Sequence, residues 1–258
     1  MTLPDSFLQS LVNRLDGPDV IGISHAGSFA RGQAGTHSDV DLQVYVHTLP
    51  ESKYHLRHWD GYLISVAFNT IEAERSKLSR PETAVWAVPG LRQSVILLDK
   101  DGSLAKLKQA ALEFEWLPLQ SLADEYAVKE LMGFAEEAHK ILDGLLREHE
   151  STVLYATWGL LFGLGRALAV QRGLLMETEN RFFDVIQDAT SRDSAWTRAF
   201  RLALGADATP ANHPPFQSRG AAALALYRET ASLFKPIIPE KYREVIETTV
   251  QLIEEAGY

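Results

Sequence analysis

Residues 23–44 read ISHAGSFARGQAGTHSDVDLQV, and this stretch decides the fold of the N-terminal half. A β-type run over 20–25 leads into Gly27-Ser28, and after a ten-residue spacer Asp39-Val40-Asp41 opens a second β-type run. Side chains alternate between the two faces of a strand, so the two aspartates are predicted to share one face. The pattern therefore predicts a strand, a tight turn and a second strand that carries neighbouring carboxylates.

The residue types in this stretch predict a metal site beside an anion site. Asp39 and Asp41 would repel each other, and a divalent cation removes that repulsion, since Mg²⁺ prefers one or two carboxylates plus phosphate oxygens and water. Gly27 has no side chain to keep an anion from backbone N–H groups, and Ser28 adds a hydroxyl donor. Arg31, on a helix expected after the turn, adds a guanidinium suited to phosphate.

The remaining chain changes character near Trp116-Leu117-Pro118. Before this point, further β-type runs cover 62–69 and 94–98, and helical patterns cover 6–15, 71–79 and 103–114. After it, helical patterns dominate, over 119–149, 152–172, 180–189, 195–204, 221–234 and 240–256. The predicted fold class is α+β: an N-terminal domain, 1–117, with a small mixed sheet flanked by helices, and a C-terminal α-helical bundle, 118–258.

Composition excludes several classes of protein and site. The 258 residues carry 25 Lys and Arg against 34 Asp and Glu, a formal charge of −9, which argues against a nonspecific nucleic-acid binder. Cysteine is absent, which removes disulfides, thiolate zinc sites and a cysteine nucleophile. The N-terminus lacks the pattern of a signal peptide, and the most apolar stretch, 153–165, is shorter than the ~20 residues that cross a bilayer. We expect a cytoplasmic protein without nucleic-acid or membrane partners.

The combination of Ala26-Gly27-Ser28, the ten-residue spacer and Asp39-Val40-Asp41-Leu42 resembles the signature of the nucleotidyltransferase superfamily typified by DNA polymerase β. The layout of the chain is similar to that of small-molecule and aminoglycoside nucleotidyltransferases, which join such a domain to a C-terminal helical domain. The resemblance implies that 1–117 binds nucleotide and metal and that 118–258 binds the acceptor.

The resemblance also implies an activity. The chain would be a transferase that moves an NMP, with AMP favoured, from ATP or another NTP to a hydroxyl of a small molecule. Asp39 and Asp41 would be catalytic and would hold Mg²⁺ or Mn²⁺, while Gly27, Ser28 and Arg31 would bind the nucleotide. The acceptor would be of aminoglycoside type, which implies antibiotic resistance, and the enzyme would be a monomer or a homodimer.

One departure from the superfamily pattern concerns the third carboxylate, which members usually place on a neighbouring strand. The corresponding run, 63–68, has no acid, and Ser65 aligns with the acidic position. Either another group serves as the base or catalysis is weak. Aminoglycoside nucleotidyltransferases take a glutamate from the first long helix of the second domain; among Glu130, Glu136 and Glu137, the last is preferred here. Arg92 either contacts the triphosphate or the acceptor, or is a surface cation.

Two other functions stay open at this point. The protein could be a nucleotide-binding or regulatory protein that has lost efficient catalysis, which Ser65 would explain. It could also adenylylate a protein, as antitoxin-type members of the superfamily do. Those members are commonly short single domains, whereas this chain carries a large helical half.

Overall fold

The structure is a computed structural model of the chain and describes residues 2–208 and 214–258. Two compact units make up the described chain: unit 1 comprises Met1–Leu119 and Leu175–Glu179, and unit 2 comprises Gln120–Leu174 and Asn180–Tyr258. The segment 175–179 therefore returns to unit 1, where the amide of Met176 donates to the carbonyl of Val85 at 2.7 Å. No local sequence pattern indicates this return.

Unit 1 alternates strands and helices. Its strands are β1 (Val20–Ala26), β2 (Val40–Val46), β3 (Tyr54–Trp59), β4 (Tyr62–Asn69) and β5 (Val95–Asp99). Its helices are α1 (Asp5–Leu15), α2 (Gly27–Ala30), α3 (Ile71–Lys77), α4 (Pro81–Gln93) and α5 (Ser103–Leu112). Over the described residues these strands form one five-stranded sheet in the order β3-β4-β2-β1-β5. The pair β2–β4 is parallel and the pairs β1–β2, β1–β5 and β3–β4 are antiparallel, so the predicted α+β class with a mixed sheet is confirmed.

The sheet of unit 1 is covered on both faces by apolar side chains. On one face, Leu42 and Val44 of β2 belong to the same core as Leu11 of α1. On the other face, Tyr45 of β2 packs in a core that includes Leu104 of α5. Because side chains alternate along a strand, Asp41 lies on the same face as Tyr45, opposite to the α1 core.

The edge strand β3 was not predicted from the sequence. It forms a hairpin with β4 through Asp60 and Gly61, whose φ angles are 50° and 85°. An Asp-Gly pair with two positive φ values is typical of a two-residue hairpin turn of the primed type. The signal was therefore present in the sequence, but the mixed polar pattern of β3 obscured it.

Two helical segments also differ from the sequence prediction. Helix α4 was not predicted, and Pro81 occupies its first turn, where a missing N–H costs nothing. The single helix predicted over 119–149 is instead two helices, α6 (Gln120–Gly133) and α7 (Ala135–Leu146). Gly133, a poor helix former, ends the first of them.

All the secondary-structure elements in the described part of unit 2 are helices. Unit 2 continues with α8 (Glu150–Gln171), α9 (Phe182–Thr190), α10 (Ala195–Leu204), α11 (Pro215–Phe234) and α12 (Glu240–Glu255). By length and composition α8 could cross a membrane, but 61% of its most apolar window is buried inside the structure. Burial of this kind is expected for the central helix of a soluble bundle, and a membrane protein is not indicated.

Candidate active site

The candidate site is built on one row of residues that runs across the sheet of unit 1. Asp41 on β2 lies directly opposite Ala26 on β1 and opposite Ser65 on β4. Ser65 in turn lies opposite Leu56 on the edge strand β3. Residues directly opposite in neighbouring strands have Cβ atoms about 5 Å apart, so their side chains interact on the shared face. The register therefore places Asp41 between the end of β1 and Ser65.

The turn that follows β1 approaches the carboxylate of Asp41 closely. Gly27 has a φ of +71°, and a Cβ atom built there would lie 1.9 Å from Oδ2 of Asp41. No side chain fits in that space, so only glycine allows the turn and the carboxylate to meet. The two halves of the sequence motif, the Gly-Ser turn and the second aspartate, are thus in contact in the structure.

The folded protein disfavours the charged form of the Asp41 carboxyl group. Desolvation by burial raises its pKa above the ordinary value, and the nearby charge of Asp39 raises it further. A hydrogen bond from Ser65 Oγ to Asp41 Oδ1, 2.7 Å long, and the positive charge of Arg31 act in the opposite direction. Burial is the largest of these effects, so the pKa of Asp41 lies above its ordinary value.

These carboxylates fit a divalent cation of the Mg²⁺ or Mn²⁺ type. In the described part of the chain no group of three or more His, Asp or Glu residues could hold a metal by itself. A hard cation that keeps waters and takes phosphate oxygens needs only one or two carboxylates from the protein. Asp41 beside Gly27, with the charge of Asp39 nearby, meets that requirement when a phosphate-bearing ligand completes the coordination.

Arg31 lies near enough to Asp41 to act on its charge, although the helix predicted to carry Arg31 is short. Helix α2 ends at Ala30, and Arg31 is its C-terminal flanking residue. The guanidinium donates from Nε to Gln33 Oε1 at 3.2 Å and from Nη1 to Gln93 Oε1 at 3.5 Å and to the carbonyl of Glu177 at 3.4 Å. These are long hydrogen bonds, which a phosphate could replace.

Arg92, which the sequence offered as a possible nucleotide contact, has a different surrounding. Its Nε donates to the carbonyl of Ala111 at 2.8 Å, and its Nη2 donates to the carbonyl of Phe114 at 3.1 Å. These carbonyls lie at the C-terminal end of α5, where a cation also interacts favourably with the helix dipole. Arg92 therefore holds α5 in unit 1, and we leave it out of the proposed nucleotide site.

Glu137, the preferred candidate for the base, belongs to unit 2, as do the other two candidate bases, whereas the candidate residues for metal and nucleotide belong to unit 1. It lies in the first turn of α7, and its Oε1 accepts a hydrogen bond from Lys140 at 2.8 Å. Its Oε2 is buried and has no hydrogen-bond partner among the described residues. Glu136, next to it, is exposed, and Glu130 lies on α6. Of the three glutamates, only Glu137 thus has a buried oxygen that lacks a donor.

Three contacts at the site were missed at the level of sequence. Ser65 was noted only for the acid that it replaces, yet it donates to Asp41. Gln93 and Glu177 contact Arg31 from α4 and from the returning segment 175–179. Each of these contacts joins positions at least 24 residues apart, so no local pattern could have indicated them.

The strand that leads to the Gly-Ser turn carries a buried histidine, which makes stability depend on pH. His25 is 4% exposed, its Nε2 has no partner among the described residues, and burial lowers its pKa. A lowered pKa favours the neutral form in the folded state. The contribution of His25 to the free energy of unfolding is therefore at its maximum above the unfolded pKa of about 6.5. It decreases as pH falls toward the folded pKa.

We expect His25→Gln to flatten the pH dependence of the free energy of unfolding below about pH 6.5. In the wild type, His25 can contribute up to about 1.4 kcal/mol per pH unit to the slope of the free energy of unfolding, which is the value for the uptake of one proton. The variant lacks this contribution. Denaturant unfolding at several pH values between 5 and 8 measures it. His58→Gln, at an exposed position on β3, is the matched control. Equal slopes in wild type and His25→Gln would contradict the prediction.

Comparison with known proteins supports the fold. No family model matches the chain, and no curated protein matches its sequence. Among solved structures, a nucleotidyltransferase-like protein from Exiguobacterium sibiricum 255-15 is similar, with a TM-score of 0.53 and 14% sequence identity. The likeness covers 93% of this chain and 80% of that chain. At this identity the likeness shows a shared fold.

Proposed function

We propose that this chain is a nucleotidyltransferase that moves an NMP, with AMP favoured, from an NTP to a hydroxyl of a small molecule. The observation that carries the proposal is the contact between Gly27 and the carboxylate of Asp41, with Asp39 and Arg31 close by. A nucleotidyltransferase-like fold agrees with it. The aminoglycoside-like nature of the acceptor rests on the resemblance of the sequence alone.

On the nucleotide side, each residue has a defined task. Asp39 and Asp41 would hold a divalent cation, which when bound supplies positive charge against the triphosphate. Gly27 lets the turn lie against the carboxylate of Asp41, and Ser28 and Arg31 would donate hydrogen bonds to phosphate oxygens of the nucleotide. Together these groups would orient the α-phosphorus and reduce repulsion toward the attacking oxygen.

The reaction forms one bond and breaks one. The acceptor oxygen would bond to the α-phosphorus, and the bond from that phosphorus to the bridging oxygen of the β-phosphate would break. Pyrophosphate leaves with the electron pair, and the hydroxyl proton passes to a base. Glu137 is the proposed base, because its Oε2, near Gly159 of α8, accepts no hydrogen bond from the described residues.

Glu137→Gln is expected to lower the rate of transfer by about 100-fold or more, because an amide cannot take the proton. The affinity for NTP should stay unchanged, since the residue would act on the acceptor. Transfer of label from α-labelled NTP measures the first quantity, and calorimetry the second. Glu136→Gln, at the exposed neighbour on α7, is the control. Equal rates in the two variants would remove Glu137 from the mechanism.

A second candidate function is supported by Ser65, which stands where superfamily members usually have an acid. The chain would then bind nucleotide and a divalent cation without efficient transfer, as a nucleotide-binding or regulatory protein. Calorimetry with NTP and Mg²⁺ separates the two functions. Tight binding without transfer to any acceptor favours the second function.

The decisive assay follows the α-phosphate. Purified chain is incubated with α-labelled NTP, Mg²⁺ and a panel of hydroxylated acceptors that includes aminoglycosides and a protein fraction. Labelled acceptor together with an equal amount of pyrophosphate supports the proposed transfer. Label found only on protein would favour the antitoxin-type reaction. Absence of NTP binding would contradict both functions.

A further inference from the structure

The two carboxylate oxygens of Asp41 have different neighbours, Ser65 and the turn at Gly27. Its hydroxyl donates to Oδ1 at 2.7 Å, from a position directly opposite on β4. The other oxygen, Oδ2, lies against the turn, so close that a Cβ at Gly27 would be 1.9 Å away. Ser65 is itself 8% exposed, so its hydroxyl is held in place by the surrounding sheet. The carboxylate therefore has one oxygen occupied by the protein and one that faces the turn.

The row beyond Ser65 offers no further ligand for a cation. The next residue across the sheet is Leu56, whose side chain is 53% exposed, and the neighbouring row ends at Tyr54, which is 56% exposed. Asp41 is the carboxylate at the turn, Asp39 acts on it electrostatically, and over residues 2–208 and 214–258 no group of three acids or histidines could hold a metal. The position next to Asp41 on β4 is thus occupied by the neutral hydroxyl donor Ser65, and the next position, on β3, is occupied by the apolar Leu56.

We propose that Ser65 is a positioning residue that turns Oδ2 of Asp41 toward the Gly-Ser turn, and that the site binds one divalent cation per chain together with a nucleotide. This inference rests on the proposed function. It adds the number of bound cations and names Ser65 as the residue that orients the carboxylate of Asp41. A hydrogen bond to a metal-binding carboxylate fixes its rotamer and so favours the bound geometry. A second cation would need a further anionic group where Ser65 and Leu56 stand.

The test counts cations directly. The full chain is dialysed to equilibrium against Mn²⁺ and a non-hydrolysable ATP analogue, and the excess of total Mn²⁺ on the protein side is measured by electron paramagnetic resonance after release in acid. We expect one Mn²⁺ per wild-type chain. Ser65→Ala should keep this number and lower the Mn²⁺ affinity by about tenfold or more, as loss of an outer-shell partner does. Ser65→Thr, which keeps the hydroxyl, should restore most of the affinity.

Two further variants separate orientation of the ligand from general stability. Ser24→Ala removes a fully buried hydroxyl from β1, in the row next to that of Asp41, and should leave the Mn²⁺ affinity unchanged. Ser65→Asp supplies a third carboxylate and should raise the number of bound Mn²⁺ ions to two. The alanine and threonine variants keep the test valid if the aspartate variant does not fold.

Each outcome has a distinct meaning. Two Mn²⁺ ions in the wild-type chain would overturn the inference and leave the proposed transferase function standing. No Mn²⁺ binding in the presence of the ATP analogue would overturn the proposed function itself. Equal Mn²⁺ affinity in wild type and Ser65→Ala would overturn the positioning role. One ion, with loss in the alanine variant and recovery in the threonine variant, supports the inference.

Discussion

Asp41→Asn is expected to lower the rate of NMP transfer by at least about 10³-fold. The substitution keeps the shape of the side chain and an oxygen that can accept from Ser65, but it removes the negative charge that would hold the cation. Stabilisation of transition-state charge by a bound metal is worth several kcal/mol, and about 4 kcal/mol corresponds to this factor. Transfer of label from α-labelled ATP measures the effect under saturating Mg²⁺.

The same variant should make the ligand-free protein more stable at neutral pH. Burial raises the pKa of Asp41 in the folded state, so the charged form destabilises the fold above that pKa. The contribution of Asp41 to the free energy of unfolding should rise as pH falls through its folded pKa, and the neutral asparagine removes this contribution. The melting temperature of Asp41→Asn without ligands should therefore exceed that of wild type at pH 7, while the added stability from Mn²⁺ and nucleotide is lost.

Asp60→Asn is the matched control for the loss of a carboxylate. Asp60 lies in the β3–β4 turn at a positive φ, which asparagine tolerates, and it forms an exposed ion pair with Arg14. It should leave transfer unchanged. If transfer by Asp41→Asn stayed within tenfold of wild type, the proposed role of Asp41 as a metal ligand would be wrong.

Gly27→Ala is the second variant with a large expected effect. A methyl group there would lie 1.9 Å from Oδ2 of Asp41, so the turn or the carboxylate has to move. The positive φ of +71° adds a backbone cost of about 1–2 kcal/mol. We expect at least about a 100-fold loss in transfer and a weaker affinity for Mn²⁺ with nucleotide, because a misplacement of 1 Å can cost this much.

Gly102→Ala separates the two causes. Gly102 has a φ of +77°, and a Cβ there would meet nothing within 4 Å. This variant carries the same backbone cost, so its melting temperature should fall while Mn²⁺ affinity and transfer persist. Equal losses of transfer in the two glycine variants would show that backbone strain alone accounts for the effect and that the close approach to Asp41 has no functional role.

The sequence was sufficient to locate the contact between Gly27 and Asp41, while the roles proposed for these residues stay predictions. The Gly27-Ser28 turn, the spacer and the pair Asp39 and Asp41 are local features, and alternation along a strand is sufficient to predict that the carboxylates share a face. The α+β class followed from the change of periodicity near residue 117, because strands and helices leave different patterns in the sequence. The Asp60-Gly61 hairpin could also have been found, since its turn residues are specific.

Other features depended on the register between strands and on contacts distant in the chain. The partner of Ser65 is set by the parallel pairing of β2 with β4, and a slip of one residue would turn Ser65 to the other face. From the sequence, Arg92 was a candidate contact for the triphosphate or the acceptor. In the structure it donates hydrogen bonds to carbonyls at the end of α5. The return of 175–179 to unit 1 likewise has no local signal.

The amino-acid sequence alone determined which groups can act here: two carboxylates, a turn without a side chain and a guanidinium nearby. Residue type and spacing are sufficient for this, because periodicity and turn preferences are properties of short segments. The tertiary structure decided which oxygen of Asp41 is occupied by Ser65 and which one faces Gly27. That division depends on distances between strands far apart in the chain, and only the packed sheet brings those atoms within hydrogen-bonding range.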